Sequence, residues 1–121
     1  MSAIQNLVQR YLDSFNQTDS KRRRALIEEV YIPNVVYTDP MATVSGHEGI
    51  DQFLAGVQKQ FAGVVFTLAG SVDAHHDVAR FTWHAGPPGA AEPLAIGFDV
   101  VVVENGRIRQ VAGFIDKAPG M

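Results

Sequence analysis

The chain has 121 residues, 46% hydrophobic and 19% charged, a composition that excludes a disordered segment and is too short for two domains. Its net charge of −3 excludes nucleic-acid binding by phosphate neutralisation. Without cysteine there is no disulfide framework and no thiolate chemistry.

No apolar run is long enough to span a membrane, and the first residues lack the basic region and continuous apolar core of a secretory signal. A cytoplasmic protein is the expectation. The first element is a helix, because Ile4, Leu7, Val8, Tyr11, Leu12 and Phe15 recur at helical spacing on one face. Polar residues 16–20 break the pattern. Asp19 or Ser20 can cap a second helix with Leu26, Ile27, Val30 and Tyr31 facing inward, ended by Pro33. The basic run 21–24, followed by Glu28 and Glu29, reads as a solvated helix face.

Residues 35–38 are β-branched and aromatic and predict a strand, closed by Asp39-Pro40. Ser45 and Glu48 have the spacing of a capping box, which opens a third helix carrying Ile50, Phe53, Leu54, Val57 and Phe61 on one face. From residue 64 the period becomes extended. Strands are expected at 64–74, with an irregularity at Gly70, and at 78–84. A long strand at 94–104 turns through Asn105-Gly106 into a last strand at 107–115. Three helices followed by mostly antiparallel strands give an α+β domain with helices against one face of a curved sheet.

Residues 96–103 are apolar on both faces of their strand, whereas a sheet with one wet face alternates. Helices cover one face. A second copy of the chain is the simplest cover for the other, so a homodimer through the outer sheet face is expected.

Asp99 lies inside this apolar strand, where desolvation raises a carboxyl pKa. Tyr11 sits in the apolar stripe of the first helix and Tyr31 ends the second, and each buried hydroxyl needs a partner. Asp39 leaves its strand beside the helices. As a turn residue it is equally suited to capping nearby backbone amides. If the sheet curls round the helices, these four polar tips converge in one apolar pocket. The four histidines, His47, His75, His76 and His84, are scattered, so no metal site is expected.

The order helix, helix, strand, helix, then long antiparallel strands resembles the cone-shaped fold of the nuclear-transport-factor-2-like superfamily, in its SnoaL-like and ketosteroid-isomerase-like branch. Asp39-Pro40, the helix start at 46–53 and the hairpin at 105–108 carry the resemblance, which covers nearly the whole chain. Set beside the steroid isomerases, Tyr11 resembles the oxyanion-binding tyrosine, Tyr31 a supporting tyrosine, Asp39 the general base and Asp99 the second oxyanion donor. The resemblance thus implies a cofactor-independent proton transfer at carbon next to a carbonyl. Tyr31, Phe53, Trp83, His84 and Phe114 would contact a small apolar ligand or carbonyl compound. Polyketide cyclases of the SnoaL type are similar too, and imply a different use of the fold, with His84 and Asp99 on the sheet performing a ring closure. A non-catalytic ligand-binding module, in which Asp99 holds the hairpin together, is the third alternative. Leu54, standing where some isomerases have a further tyrosine, and the polar Arg80, Trp83 and His84 depart from the steroid pattern.

Overall fold

The computed structural model describes residues 2–120. Helix α1 (Ala3–Asn16) opens with a capping box in which Ser2 and Gln5 bond reciprocally to each other's backbone. Its apolar stripe faces inward as the spacing predicts, and Leu7, Val8, Tyr11, Leu12 and Phe15 are buried. Helix α2 (Ser20–Val30) is capped by Asp19, which accepts from the Arg22 amide. The chain then passes directly into β1 (Tyr31–Thr38), adds β2 (Thr43–Ser45), and forms α3 (Gly46–Gln60). Strands β3 (Val65–His75), β4 (Val78–Gly86), β5 (Ala95–Glu104) and β6 (Arg107–Lys117) follow.

The six strands make one open sheet in the order β2-β1-β6-β5-β4-β3. Among the described residues, the β1–β6 pair is parallel and the other four pairs are antiparallel. The three helices pack on one face, so the α+β architecture expected from the sequence is the one observed. The core lies between the helices and the inward side chains of Val35, Phe81, Val101, Ile108 and Val111. Asn16 ties the end of α1 to the free edge of the sheet, since its amide both donates to and accepts from the backbone of Phe66 at 2.8 Å.

Four local features differ from the sequence expectation. First, Pro33 does not separate helix from strand. It lies inside β1, and the parallel register with β6 shifts between Tyr31 and Val36, where a residue without an N–H cannot serve the ladder. Second, residues 43–45 pair back onto β1, so Ser45 is held in the sheet and makes no side-chain cap to α3. Glu48 instead accepts from Arg24 at 2.7 Å, and Gly46 at φ +73° makes the turn from strand to helix. Third, residues 21–24 are not wholly a solvated face. Arg23 is 5% exposed, and it donates to Asp51 at 2.9 Å and to Gln58 at 2.8 Å. Gln58 in turn donates to the carbonyls of Phe15 and Gln17, so this cluster joins the ends of α1, α2 and α3. Fourth, β4 runs two residues beyond His84, to Gly86, and β6 runs to Lys117.

The expected irregularity at Gly70 is present as a register shift between Ala69 and Asp73, with Gly70 at φ +83°. The Asn105-Gly106 turn has both residues at positive φ, as a two-residue hairpin of this twist requires.

Arg23→Ala is expected to cost about 2 kcal/mol, below the range for fully buried pairs because Asp51 keeps some access to water. Urea unfolding measures it. Arg24→Ala, which breaks an exposed, solvent-screened pair, should leave the urea midpoint unchanged.

Candidate active site

Between the helices and the sheet lies a cavity of about 370 Å³. Aromatic and aliphatic side chains make most of its wall, among them Phe15 from α1, Phe53 and Val57 from α3, and Phe66 from β3. Met41, Phe61 and Leu94 border it as well and are exposed, which marks the mouth. Among the described residues, Asp39 and Asp99 are the only charged ones that line it, and no lysine, arginine or histidine does.

Asp99 stands at the inner end. Alternation along β5 turns Gly97, Asp99 and Val101 toward the helices and Phe98 and Val100 away. The Tyr11 hydroxyl donates to Asp99 Oδ2 at 2.7 Å, and the Trp83 indole N–H donates to Oδ1 at 3.1 Å. The carboxyl is 4% exposed. Burial pushes its pKa up to about 6; the Tyr11 and Trp83 hydrogen bonds oppose the shift and the charge of Asp39 adds to it. The same burial, beside Asp99, holds the Tyr11 hydroxyl well above the ordinary tyrosine range.

Asp39 leaves β1 at the cavity wall. Its Oδ1 accepts from the amides of Met41 and Ala42 at 2.8 and 3.0 Å, so it does cap its own turn. Its Oδ2 accepts from the Tyr37 hydroxyl at 2.7 Å and still has a lone pair to offer. Turn capping and cavity lining, two readings of this residue, coexist in one side chain.

Two glycines make room for this arrangement. Gly97 pairs with Trp83 across β4–β5, and Gly113 pairs with Asp99 across β5–β6. A Cβ at Gly97 would collide with the Trp83 ring and the Phe114 carbonyl. A Cβ at Gly113 would stand 2.9 Å from Asp99 Oδ1 and 3.3 Å from Asp39 Cβ, so this glycine is the gap through which the two carboxyl groups share one cavity. Gly97→Ala is expected to cost about 1–3 kcal/mol by overpacking. It should also displace the indole from Asp99, which urea unfolding and tryptophan emission together would register.

The eight residues singled out from the sequence divide as follows. Tyr11, Asp39, Asp99, Phe53 and Trp83 line the cavity. Tyr31 does not. Its hydroxyl lies 2.9 Å from Ser14 Oγ, whose own proton goes to the Tyr11 carbonyl, and its ring packs edge-on against Tyr11 from behind. His84 falls one residue beyond the inward-facing Trp83, on the opposite face from Asp99, so the two cannot act on one ligand as a pair. Phe114 borders the cavity, but its ring stacks on Phe98 on the outer face with centroids 4.9 Å apart. Tyr37 was not singled out. The available signal was its spacing of two residues from Asp39, which puts both on one face of the strand.

Residues 8–111 match the SnoaL-like domain family. The chain belongs to that family. Its SnoaL-like fold is shared with a candidate isomerase of the same family from Agrobacterium tumefaciens strain C58, at 35% identity and a TM-score of 0.89. The match covers 96% of this chain and 99% of that one. A candidate polyketide cyclase from Sinorhizobium meliloti is 19% identical, with a TM-score of 0.72 over 93% of this chain and 99% of its own. A candidate ketosteroid isomerase from Kribbella flavida is 16% identical, with a TM-score of 0.64 over 96% and 79%. The last two show likeness of fold alone. No curated protein matches the chain. Among the described residues of this SnoaL-like protein, no helix is long and apolar enough to cross a membrane.

Proposed function

We propose that this chain is a cytoplasmic, ketosteroid-isomerase-like enzyme that moves a proton at carbon next to a carbonyl, without a cofactor, in a small and mostly apolar compound. The observation that carries the reading is the pair of carboxyl groups on one apolar cavity in unlike surroundings. Asp39 is half-buried and held by three donors as an acceptor. Asp99 is buried, and its pKa is raised to about 6. A proton transfer of this kind needs a base and, separately, donors where negative charge develops on oxygen. Asp39 takes the proton from carbon and returns it at a second carbon. Tyr11 and the neutral form of Asp99 supply the hydrogen-bond donation that the oxygen needs. Phe53 and Trp83 hold the apolar body of the ligand.

Exchange of carbon-bound hydrogen for deuterium, followed by NMR in an uncharged enone or β-keto compound, tests the proposal. Exchange well above the buffer rate supports it. Its absence across a panel of such compounds favours a ligand-binding module.

A second reading has support from one observation. Asp99 accepts two hydrogen bonds, the arrangement of an ionised base. In that case Asp99 abstracts the proton, as in a ring closure of the polyketide-cyclase kind, with Tyr11 and Trp83 orienting it and His84 taking no part.

We also propose a homodimer through the outer sheet face. Ile96, Phe98, Val100 and Val102 turn away from the helices there, next to Ala112 and the half-exposed Phe114. Sedimentation at micromolar concentration should give twice the chain mass, and Val100→Lys should give the monomer.

A further inference from the structure

We propose that Trp83 dictates which oxygen of Asp99 carries its proton, and thereby couples protonation of Asp99 to release of the Tyr11 O–H as the donor to a ligand oxygen. The inference rests on the proposed cavity function and adds to it an order of donors, Asp99 to Tyr11 to ligand, in series rather than side by side.

An indole N–H donates and never accepts. With Trp83 Nε1 at 3.1 Å, Asp99 Oδ1 is the poorer place for the proton, because the oxygen of a carboxyl O–H accepts more weakly than the carbonyl oxygen does. Gly97 leaves room for the indole in this position, since a Cβ there would collide with its ring. The proton of neutral Asp99 is left to Oδ2, which faces the Tyr11 hydroxyl at 2.7 Å.

A hydroxyl carries one proton and two lone pairs. When Asp99 is ionised, the single Tyr11 proton is spent on Oδ2. When Asp99 gains a proton at Oδ2 from solvent, that proton is donated to the Tyr11 oxygen. The Tyr11 O–H is then free to turn into the cavity, which Tyr11 lines. A ligand carbonyl, which only accepts, thus binds with uptake of one proton.

The titratable groups around Asp99 are Tyr11 from α1, Tyr37 from β1 and Asp39 just beyond β1, with Tyr31 behind Tyr11. All three tyrosine hydroxyls are held above the ordinary range by burial and stay protonated through neutrality. Asp39 acts through its charge, which favours the protonated form of Asp99. The cavity lining has no basic residue to oppose this.

Two measurements test the inference. Trp83 is the one tryptophan, so a single indole N–H resonance reports on Asp99 in the unliganded protein. It should titrate with a midpoint near the Asp99 value and lose that titration in Asp99→Asn. A resonance that stays flat in the wild type overturns the proposal. The second measurement is the affinity for acetylnaphthalene, an uncharged aromatic ketone with no titration of its own, between about pH 5 and about pH 8. One-proton linkage predicts a plateau at low pH and a loss of about tenfold per pH unit above the Asp99 midpoint. Trp83→Phe keeps a ring but removes the N–H. It should move the midpoint upward, because the carboxylate loses a donor, whereas a purely structural role for Trp83 would leave it in place. Ketone binding that is independent of pH in the wild type overturns this inference alone. No ketone binding at any pH overturns it together with the reading of the cavity as a carbonyl site.

Discussion

Asp39→Asn is expected to slow proton exchange at carbon by roughly 10²- to 10⁴-fold, the range over which a positioned general base contributes. The substitution is nearly isosteric. Its amide oxygen can still accept from Met41 and Ala42, so the turn that carries it should survive. What it loses is the ability to take a proton from carbon. It also loses a negative charge beside the place where an oxyanion forms. The same variant should therefore bind an enol-mimicking phenol as well as the wild type or better, while turnover collapses. Asp99→Asn should behave differently. An amide is a poorer donor than a carboxylic acid, so phenol binding should weaken by roughly five- to tenfold, the worth of one hydrogen bond. Steady-state exchange rates and phenol titrations on the two variants check both. If Asp99 is the base the pattern inverts: Asp99→Asn abolishes exchange and Asp39→Asn changes little.

Asp99 should also leave a signature in stability against pH. Its folded pKa, about 6, lies above the ordinary carboxyl value of 3.8. Between those two values the folded protein binds more protons than the unfolded chain, so unfolding free energy falls as pH rises. The contribution is fully present below about pH 4 and is lost once pH passes about 6. Integrated over the window it amounts to about 3 kcal/mol. The informative quantity is the difference between wild type and Asp99→Asn, in which contributions common to both cancel. That difference should change by about 2 kcal/mol from pH 4 to pH 7 in urea unfolding series, with the wild type losing ground relative to the variant. A pH-independent difference would mean that Asp99 is not desolvated in the folded protein.

The fold was legible because its largest signals are periodic. The helical stripe from Ile4 to Phe15 and the switch to extended alternation after residue 64 each involve many residues and leave little choice of partner face. The turn at Asn105-Gly106 carries its own backbone requirement. Shorter and non-local features were not legible. β2 is only three residues long and exists because β1 offers an edge, which local sequence does not announce. Ser45 and Glu48 have capping-box spacing, but the sheet claimed Ser45 and Arg24 claimed Glu48. Arg23 looked like its neighbours in a basic run, and only the packing of α2 on α3 singles it out.

The site shows the same division. Asp99 stands out in the sequence because a carboxylate in a run of valines demands an explanation, and Tyr11 because it interrupts an apolar stripe. Their meeting across 88 residues of chain follows from the curl of the sheet. His84 shows where spacing misleads. It neighbours Trp83 in sequence, but strand alternation sends the two to opposite faces. Phe114 borders the cavity, but the same rule turns its ring to the outer face, onto Phe98. Gly97 and Gly113 become functional only once the register is known, because each stands opposite the side chain for which it clears space.

The central claim is that Tyr11, Asp39 and Asp99 receive the oxygen and the reacting carbon of one ligand. A crystal structure with a bound phenol tests it most directly. The phenol oxygen is expected within hydrogen-bonding distance of the Tyr11 hydroxyl, with the ring between Phe53 and Trp83 and a carbon facing Asp39 Oδ2. A phenol seated at the mouth among Met41, Phe61 and Leu94 with its oxygen in solvent, or lodged on the outer face beside Phe98, would contradict it.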